Sequence, residues 1–399
     1  MKQESFKIAA VQASSVFLDL RATVEKACGL IEEAAKGGAS LAVFPEAFIP
    51  GYPLWVWFIP PGHTHPLRAL YAELHRNSIS IPGPEVSRIG EVAADCGITV
   101  AVGVNEKNSE ASDSTLFNTL LYIGPDGSVA GKHRKLIPTG GERLVWGQAT
   151  EGDLEVFDLP FGRVGGLLCW ENYMPLARYT LIARGAQIHV APTWDRGEPW
   201  ISTMRHVAKE GRCFVIGACQ AFHKEDIPDS LDLKTAYLAD VDGWINPGLS
   251  LIVDPDGRIV AGPLEGEEGI LYADVEPDQL IGPRWQLDAG GHYARPDIFE
   301  LRMHRRPRPM LEVVDDPDGL DSGGSEQVRE TKRLLYLTQH GRSAAVLLST
   351  SDYEALVEEL EILRDVQASE RELAEGRGVP HEQVVRELRE IVRKRSRKP

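Results

Sequence analysis

Short continuous apolar runs alternate along the chain with stretches whose apolar residues recur every three or four positions; the runs read as buried strands and the stretches as helices with one buried face. Ile8 to Val11 is the first run, and beyond Asp19 the residues Leu20, Val24, Ala27, Leu30 and Ile31 line one side of a helix that Gly37-Gly38 closes. Leu41 to Phe44 is a second strand, ending at Pro45-Glu46, and a helix from about Glu85 to Cys96 leads into a strand over Ile98 to Val104. Asn118 to Ile123 and Ser128 to His133 flank Pro125-Asp126-Gly127, a hairpin pattern that recurs where Leu249 to Val253 and Arg258 to Ala261 flank Asp254 to Gly257. Val156 to Leu159 and Arg163 to Leu168 form another hairpin about Pro160-Phe161-Gly162. Helices are predicted over Leu176 to Arg184 and Pro199 to Arg212, and strands over Ile188 to Ala191, Cys213 to Ala218 and Ile270 to Asp274. This alternation predicts an α/β sandwich with helices outside two sheets.

Past Ile270 to Asp274 the pattern changes. Gly290 to Pro309 reads as an ordered extension whose Arg302, Arg305, Arg306 and Arg308 form a solvated or subunit-facing arm. Asp315 to Ser325, rich in Asp, Gly, Pro and Ser, is the clearest linker. Glu326 to Gln339 is predicted as helix, Ala344 to Leu348 as strand, Tyr353 to Leu363 as a helix capped by Ser351 or Asp352, and Glu382 to Val392 as a last helix before a basic end. The expected organisation is a main domain over residues 1–312, a linker over 313–325 and a small α+β module over 326–399.

Among 399 residues, 43% are hydrophobic and 26% charged, the values of a globular protein with a sizeable core. A net charge of -16 argues against a nucleic-acid-binding surface over the bulk of the chain. No run of about twenty apolar residues predicts a membrane span, and Met1 to Ser5 lacks the build of a secretory signal, so the cytoplasm is the expected compartment. Cys28, Cys96, Cys169, Cys213 and Cys219 contain no C-x-x-C pair and read as reduced thiols, neither a disulfide framework nor a zinc site. His63-Thr64-His65 offers two imidazoles from a loop with no neighbouring cysteine, and no metal or cofactor is expected.

The candidate chemistry sits at strand ends. Gly165 to Leu168 is an apolar strand that stops on Cys169, before Pro175, a residue suited to a helix's first turn. Glu46 ends the Leu41 to Phe44 strand, and Lys135 ends the strand that delivers Lys132-His133-Arg134-Lys135. A thiolate that attacks an unsaturated carbon needs a base for its proton, donors for the charge that develops, and activated water. Glu46, Lys135 and Cys169 supply those types, whereas no Ser/His/Asp motif, Walker loop or G-x-G-x-x-G is present. An ammonium about 4 Å from the thiolate contributes roughly 4 kcal/mol at an effective dielectric of about 20, and a carboxylate opposes it by a like amount, so a proton shared between Cys169 and Glu46 near neutral pH is expected. Phe48 to Gly62 carries Tyr52, Trp55, Trp57 and Phe58, which either line a pocket or pack as ordinary core.

Phe44-Pro45-Glu46-Ala47-Phe48-Ile49-Pro50-Gly51-Tyr52-Pro53, His133-Arg134-Lys135-Leu136-Ile137-Pro138-Thr139 with Glu142-Arg143, and Cys169-Trp170-Glu171-Asn172-Tyr173-Met174-Pro175 resemble, in order and spacing, the three signature regions of the nitrilase branch of the carbon-nitrogen hydrolase superfamily. The likeness extends to Gly291-His292-Tyr293-Ala294-Arg295-Pro296-Asp297 and covers about Lys7 to Pro309. It implies a four-layer αββα sandwich and a cofactor-free hydrolase that forms homo-oligomers, dimers or larger, spirals among them. Carried over by position, it implies Cys169 as nucleophile, Glu46 as general base, Lys135 as stabiliser of the tetrahedral species, Glu142 as the second glutamate, and the Trp170 N–H in the oxyanion role. Cys-Trp-Glu favours a small-molecule nitrile over an amide, which leaves an amidase or N-carbamoyl amide hydrolase as the alternative. Trp194, after Pro192-Thr193, stands where a smaller residue is expected; it either narrows the pocket or is a buried aromatic. Thr338 to Leu348 and Tyr353 to Leu363 resemble the Phd/YefM antitoxin family, with its DNA-contacting N-terminal part shortened, which implies a protein-binding or oligomerisation tail. A regulatory toxin- or DNA-binding protein is the reading from another class.

Overall fold

Strand β1 (Phe6–Gln12) buries its two faces in different places. Ala9 and Val11 join Val24, Ala27 and Ile31 of helix α1 (Leu20–Lys36), whereas Ile8 and Ala10 join residues of a second sheet, Val164, Val190 and Ile216. A strand covered on both faces needs a layer on each side, and this one has a helical layer and a sheet. Helix α1 starts where the sequence pattern puts it, with the Asp19 carboxylate accepting the Ala22 N–H, and ends as the Gly37 N–H returns to the Glu33 carbonyl. Helix α2 (Thr64–Arg76) lies apart, in a satellite cluster, and α3 (Pro84–Cys96) shares the cluster of α1.

The computed structural model describes residues 5–109, 112–149, 154–304, 335–339, 342–347 and 383. Two compact units divide the chain, Met1–Arg308 and Pro309–Pro399. In the first, one sheet runs β13 (Gly269–Val275), β1, β2 (Ala39–Val43), β3 (Thr99–Lys107), β4 (Leu116–Ile123), β5 (Val129–Arg134). The other runs β10 (Ala221–His223), β11 (Trp244–Val253), β9 (Phe214–Gly217), β8 (Ile188–Val190), β7 (Gly162–Gly166), β6 (Val156–Leu159), with β12 (Ile259–Glu265) paired to β11. Helices α4 (Pro175–Ala183) and α5 (Glu198–Gly211) cover the outer face of the second sheet, where Trp200, Met204 and Val207 pack on Val215, Leu251 and Val253. Short helices α6 (Leu233–Ala236) and α7 (Pro277–Ile281) complete the unit, a four-layer αββα sandwich. Among the described residues no helix is long and apolar enough to cross a membrane.

The topology gathers strand ends onto one rim. β2 and β3 are parallel, and two antiparallel steps, β3 to β4 and β4 to β5, return β5 to the direction of β2. Glu46 and Lys135, which follow β2 and β5, therefore leave their sheet on the same side. In the second sheet β7, β8 and β9 are parallel, so the segments carrying Cys169, Thr193 and Cys219 also leave together.

Two expectations are corrected. Residues 335–339, part of the helix expected over Glu326 to Gln339, form strand β14 (Leu335–Gln339), antiparallel to β15 (Arg342–Leu347), with Tyr336 opposite Val346. Pairing with the next segment outweighs a helix propensity that is worth only tenths of a kcal/mol per residue. His63-Thr64-His65, read as loop, includes the start of α2. The linker expected over Asp315 to Ser325 and the helix over Tyr353 to Leu363 lie outside the described residues, as does all but Gln383 of the last predicted helix.

Gly103 of β3 is where the fold presses on the rim: a Cβ there would lie 2.3 Å from the Pro45 carbonyl oxygen and 2.7 Å from the Glu46 Cα. Both are backbone atoms and cannot rotate away. Gly103→Ala is expected to lower stability by about 1–3 kcal/mol and displace Glu46. Chemical denaturation and turnover of the folded fraction check this; wild-type values for both would refute it.

Candidate active site

Three ionisable side chains meet in the first sheet's rim. Glu46 is fully buried, and its Oε1 accepts from Lys135 Nζ at 2.8 Å and from Asn118 Nδ2 of β4 at 2.7 Å. Lys135 donates again to Glu142 Oε2 at 2.7 Å, and its backbone N–H is bonded to the Asn118 carbonyl. Glu142 also accepts from the Tyr52 hydroxyl at 2.7 Å and the Thr139 N–H at 2.6 Å, so its two oxygens are engaged. By contrast, Glu46 Oε2 is buried without a hydrogen-bond partner among the described residues. The Gln220 side chain fixes the Glu46 carbonyl at 3.0 Å, and Asn105 holds the following loop through the Ile49 and Gly51 carbonyls.

One ammonium thus faces two carboxylates in a dry site. At 2.8 Å and an effective dielectric of about 20 each attraction is on the order of 6 kcal/mol before desolvation is subtracted. Burial alone would depress the Lys135 pKa, but Glu46, Cys169 and Glu142 overcome it and the net shift is upward, so the ammonium stays charged. With a single cation for two anions, one carboxylate is left short of charge. Burial lifts Glu46 to about 7, against the pull of Lys135 and with the push of Glu142.

Cys169 reaches this neighbourhood from the second sheet. Its N–H is bonded to the Pro192 carbonyl at 2.8 Å, and it opens a short 3₁₀ turn, Cys169–Tyr173, rather than α4 itself, which begins at Pro175. Its φ of 50° is a left-handed conformation that costs a non-glycine residue about 1–3 kcal/mol and persists because the surroundings over-determine it. Asn172 bonds both the Leu167 and Cys169 carbonyls and takes a hydrogen bond from the buried His189 ring, which burial holds neutral by lowering its pKa to about 4. Thr193 donates its hydroxyl to Cys169 Sγ at 3.2 Å. Burial first, and the Glu46 carboxylate second, push the Cys169 thiol well above the ordinary range despite Lys135 and Thr193. Desolvation therefore penalises a thiolate more than the one nearby ammonium repays, which tilts the proton expected to be shared between Cys169 and Glu46 toward sulfur.

A cavity of about 550 Å³ opens over these groups, and Cys169 and Glu142 both line it. Tyr52, Trp57, Trp194 and Trp170 form aromatic walls, and Arg196 also borders the space. Tyr52 stacks on Trp194 with ring centroids 4.4 Å apart and planes 2° from parallel, so Trp194 is at once packed and pocket-facing. The Phe48 to Gly62 aromatics divide in the same way, Tyr52, Trp57 and Phe58 lining the cavity while Trp55 lies in the core. Trp170 is 52% exposed, its indole N–H bonded to Asp195 at 2.8 Å. Gln220 and Asp195 carry no sign of a site role in the sequence, Asn118 shows only as an interruption of the apolar β4 together with Thr119, and His133 and Glu171 stand there as members of the signature regions with no role of their own.

Residues 7–282 match the family described as carbon-nitrogen hydrolase. The chain belongs to that family. This carbon-nitrogen hydrolase is 43% identical over 308 residues to an aliphatic nitrilase of Sinorhizobium fredii, covering 77% of this chain and 98% of that one. It is 41% identical to nitrilase 2 of Arabidopsis thaliana over 76% of this chain and 90% of that one. It is 38% identical to a bifunctional nitrilase/nitrile hydratase of Nicotiana tabacum, over 73% and 84%. The crystal structure of Saccharomyces cerevisiae Nit3, a nitrilase-superfamily member, shares the fold at a TM-score of 0.55 and 20% identity, covering 74% of this chain and 98% of that one. Residues 325–382 of the hydrolase match the family described as antitoxin Phd_YefM, type II toxin-antitoxin system.

Proposed function

We propose that the protein hydrolyses an organic nitrile to its carboxylic acid and ammonia through a covalent adduct on Cys169. The observation that carries this reading is the single cavity bordered by Cys169 and Glu142, with Lys135 bonded to Glu142 and Glu46 behind it. The relatives named as nitrilases favour nitrile over amide as the substrate. Aromatic walls suit an apolar R group, and the buried charges suit the reacting end.

Glu46 takes the thiol proton as sulfur attacks the nitrile carbon, and that proton passes to the nitrile nitrogen, giving the thioimidate R–C(=NH)–S–Cys169. Water adds to its carbon with Glu46 as base; the tetrahedral species is stabilised by Lys135 and the Trp170 N–H, and loses ammonia to leave a thioester. A second water cleaves the thioester to the acid and restores the thiol. Breaking the C–S bond at the tetrahedral stage releases amide instead. Glu142 keeps the Lys135 ammonium between the two carboxylates, Thr193 orients the sulfur, and Tyr52 and Trp194 shape the acyl side.

Purified protein is expected to release ammonia from benzonitrile, phenylacetonitrile or butyronitrile faster than from the matching amides. Because Glu46 must be ionised to accept the proton and titrates at about 7, kcat/KM is expected to fall about tenfold per pH unit below that value and to level off above it. Amide turnover exceeding nitrile turnover would transfer the protein to the amidase reading.

The organisation proposed is a hydrolase domain over residues 1–312, a linker over 313–325 and an accessory module over 326–399 that binds a protein partner or a second copy. The two compact units and the two family matches support it. Exposed Leu176, Trp285, Ile298 and Phe299 support a homo-oligomer, dimer or larger, and the reduced cysteines a cytoplasmic setting.

A further inference from the structure

Among the described residues, Glu171 is the one buried carboxylate near Cys169 that the chemistry above leaves unused. It is 2% exposed. Its Oε2 accepts the Leu168 N–H at 2.7 Å, and its Oε1 accepts the Leu136 N–H at 2.6 Å. Leu168 precedes Cys169 and follows β7 of the second sheet; Leu136 follows Lys135 beyond β5 of the first. The His133 ring, on β5, adds its Nε2 at 2.9 Å from Oε2 and 3.2 Å from Oε1, donating because a carboxylate has only acceptors to offer.

We propose that Glu171 is a positioning residue, a bridge between the two sheets that holds the backbone beside the nucleophile and the backbone beside the lysine ammonium at a fixed separation. The proposal rests on the reading of Cys169 and Lys135 given above. Its neighbours in the motif do not span the two sheets: Trp170 bonds Asp195 at the rim, and Asn172 bonds the Leu167 and Cys169 carbonyls and His189, all within the second sheet. Both oxygens are needed, since each receives a different backbone donor. A glutamine keeps one acceptor and turns an NH₂ toward the other N–H, which pushes the two segments apart. A carboxylate also suits the site better than a neutral group: burial would raise its pKa, but His133 and the two backbone donors outweigh that and the net shift is downward, so it is charged at working pH. A displacement of about 1 Å between reacting groups can cost on the order of 10²-fold in rate.

The test compares Glu171→Gln, Glu171→Asp and His133→Gln with wild type on the best nitrile, with folded protein quantified by circular dichroism and Cys169 occupancy by mass spectrometry after iodoacetamide. Glu171→Gln is expected to lower kcat per folded molecule roughly 10²-fold, with KM within about threefold and the acid midpoint of the pH profile unmoved. Glu171→Asp, still charged but shorter, is expected to fall between. A folded Glu171→Gln enzyme with wild-type kcat overturns the proposal, as does a loss seen only in KM. Should Glu171→Gln not fold, Glu171→Asp is held to the same measure, and after it His133→Gln, for which unchanged kcat is the overturning result. Wild-type protein inactive on every nitrile would instead bring down the function proposed above, which separates the two failures.

Discussion

Replacing Cys169 by alanine is expected to reduce nitrile turnover by roughly 10⁴ to 10⁶-fold, the range found when the nucleophile of a covalent mechanism is removed. Among the described residues that line the cavity Cys169 carries the sole thiol; behind it, the Thr193 hydroxyl is bonded to the sulfur itself, and Cys219 is turned to the Asp195 carbonyl. Serine is not expected to rescue. Glu46 titrates at about 7 and already works uphill against a thiol whose pKa is raised; a hydroxyl would be several further units out of reach. Fold should survive, because alanine loses only the sulfur's contacts and tolerates the left-handed backbone about as well as cysteine does. The check is ammonia release alongside thermal melting, with intact-mass detection of an acyl adduct on wild type and its absence from the variant. Residual turnover above about a hundredth of wild type in a folded Cys169→Ala protein would falsify the covalent mechanism.

The second large effect concerns Lys135. Changing it to methionine leaves Glu46 and Glu142 buried with no cation, and removing one partner of a buried ion pair typically costs about 3–5 kcal/mol. One carboxylate must then take up a proton. Glu46, which burial already lifts to about 7, takes it, so the base and the ammonium are lost together and turnover is expected to drop at least 10³-fold. A second substitution separates structure from chemistry. In Lys135→Met/Glu142→Gln one of the stranded charges is gone, and much of the lost stability should return while activity does not. Melting curves and ammonia release on the single and double variants test this. Recovery of turnover in the double variant would mean that Lys135 serves only to neutralise Glu142.

What could be read from the chain alone follows how local each signal is. The run Leu41 to Phe44 and the run ending at Cys169 announce strands and put chemistry at their ends, because a polar residue that stops an apolar run needs no distant partner to be noticed. Helix α1 is legible for a similar reason, with its buried Val24, Ala27 and Ile31 at helical spacing and Asp19 ahead of them. Helix α2 is not, since only Leu70 and Leu74 are fully buried and His-Pro fills its first turn. Strand β14 is not legible either, because its hydrogen bonds are made to a segment beyond it. At the site, Glu171 looks in sequence like any solvated acid, and its three donors come from Leu136, Leu168 and His133, which only folding assembles. Gln220 is found only when the segment after β9 is seen beside Glu46, and Asn118, though it interrupts an apolar strand, shows its partner only there.

The sequence by itself determined which groups are proposed to react, the alternation of strands and helices that builds two covered sheets, and the family to which the chain belongs. These depend on residue type and short-range period, which are written linearly. Only the tertiary structure decided how the charges are divided: one ammonium between two carboxylates, an acid lifted to about 7, a thiol whose pKa burial raises, and a single carboxylate bridging the sheets. Those outcomes depend on desolvation and on distances of a few ångströms between residues far apart along the backbone, quantities that come into being only when water is excluded from the packed rim.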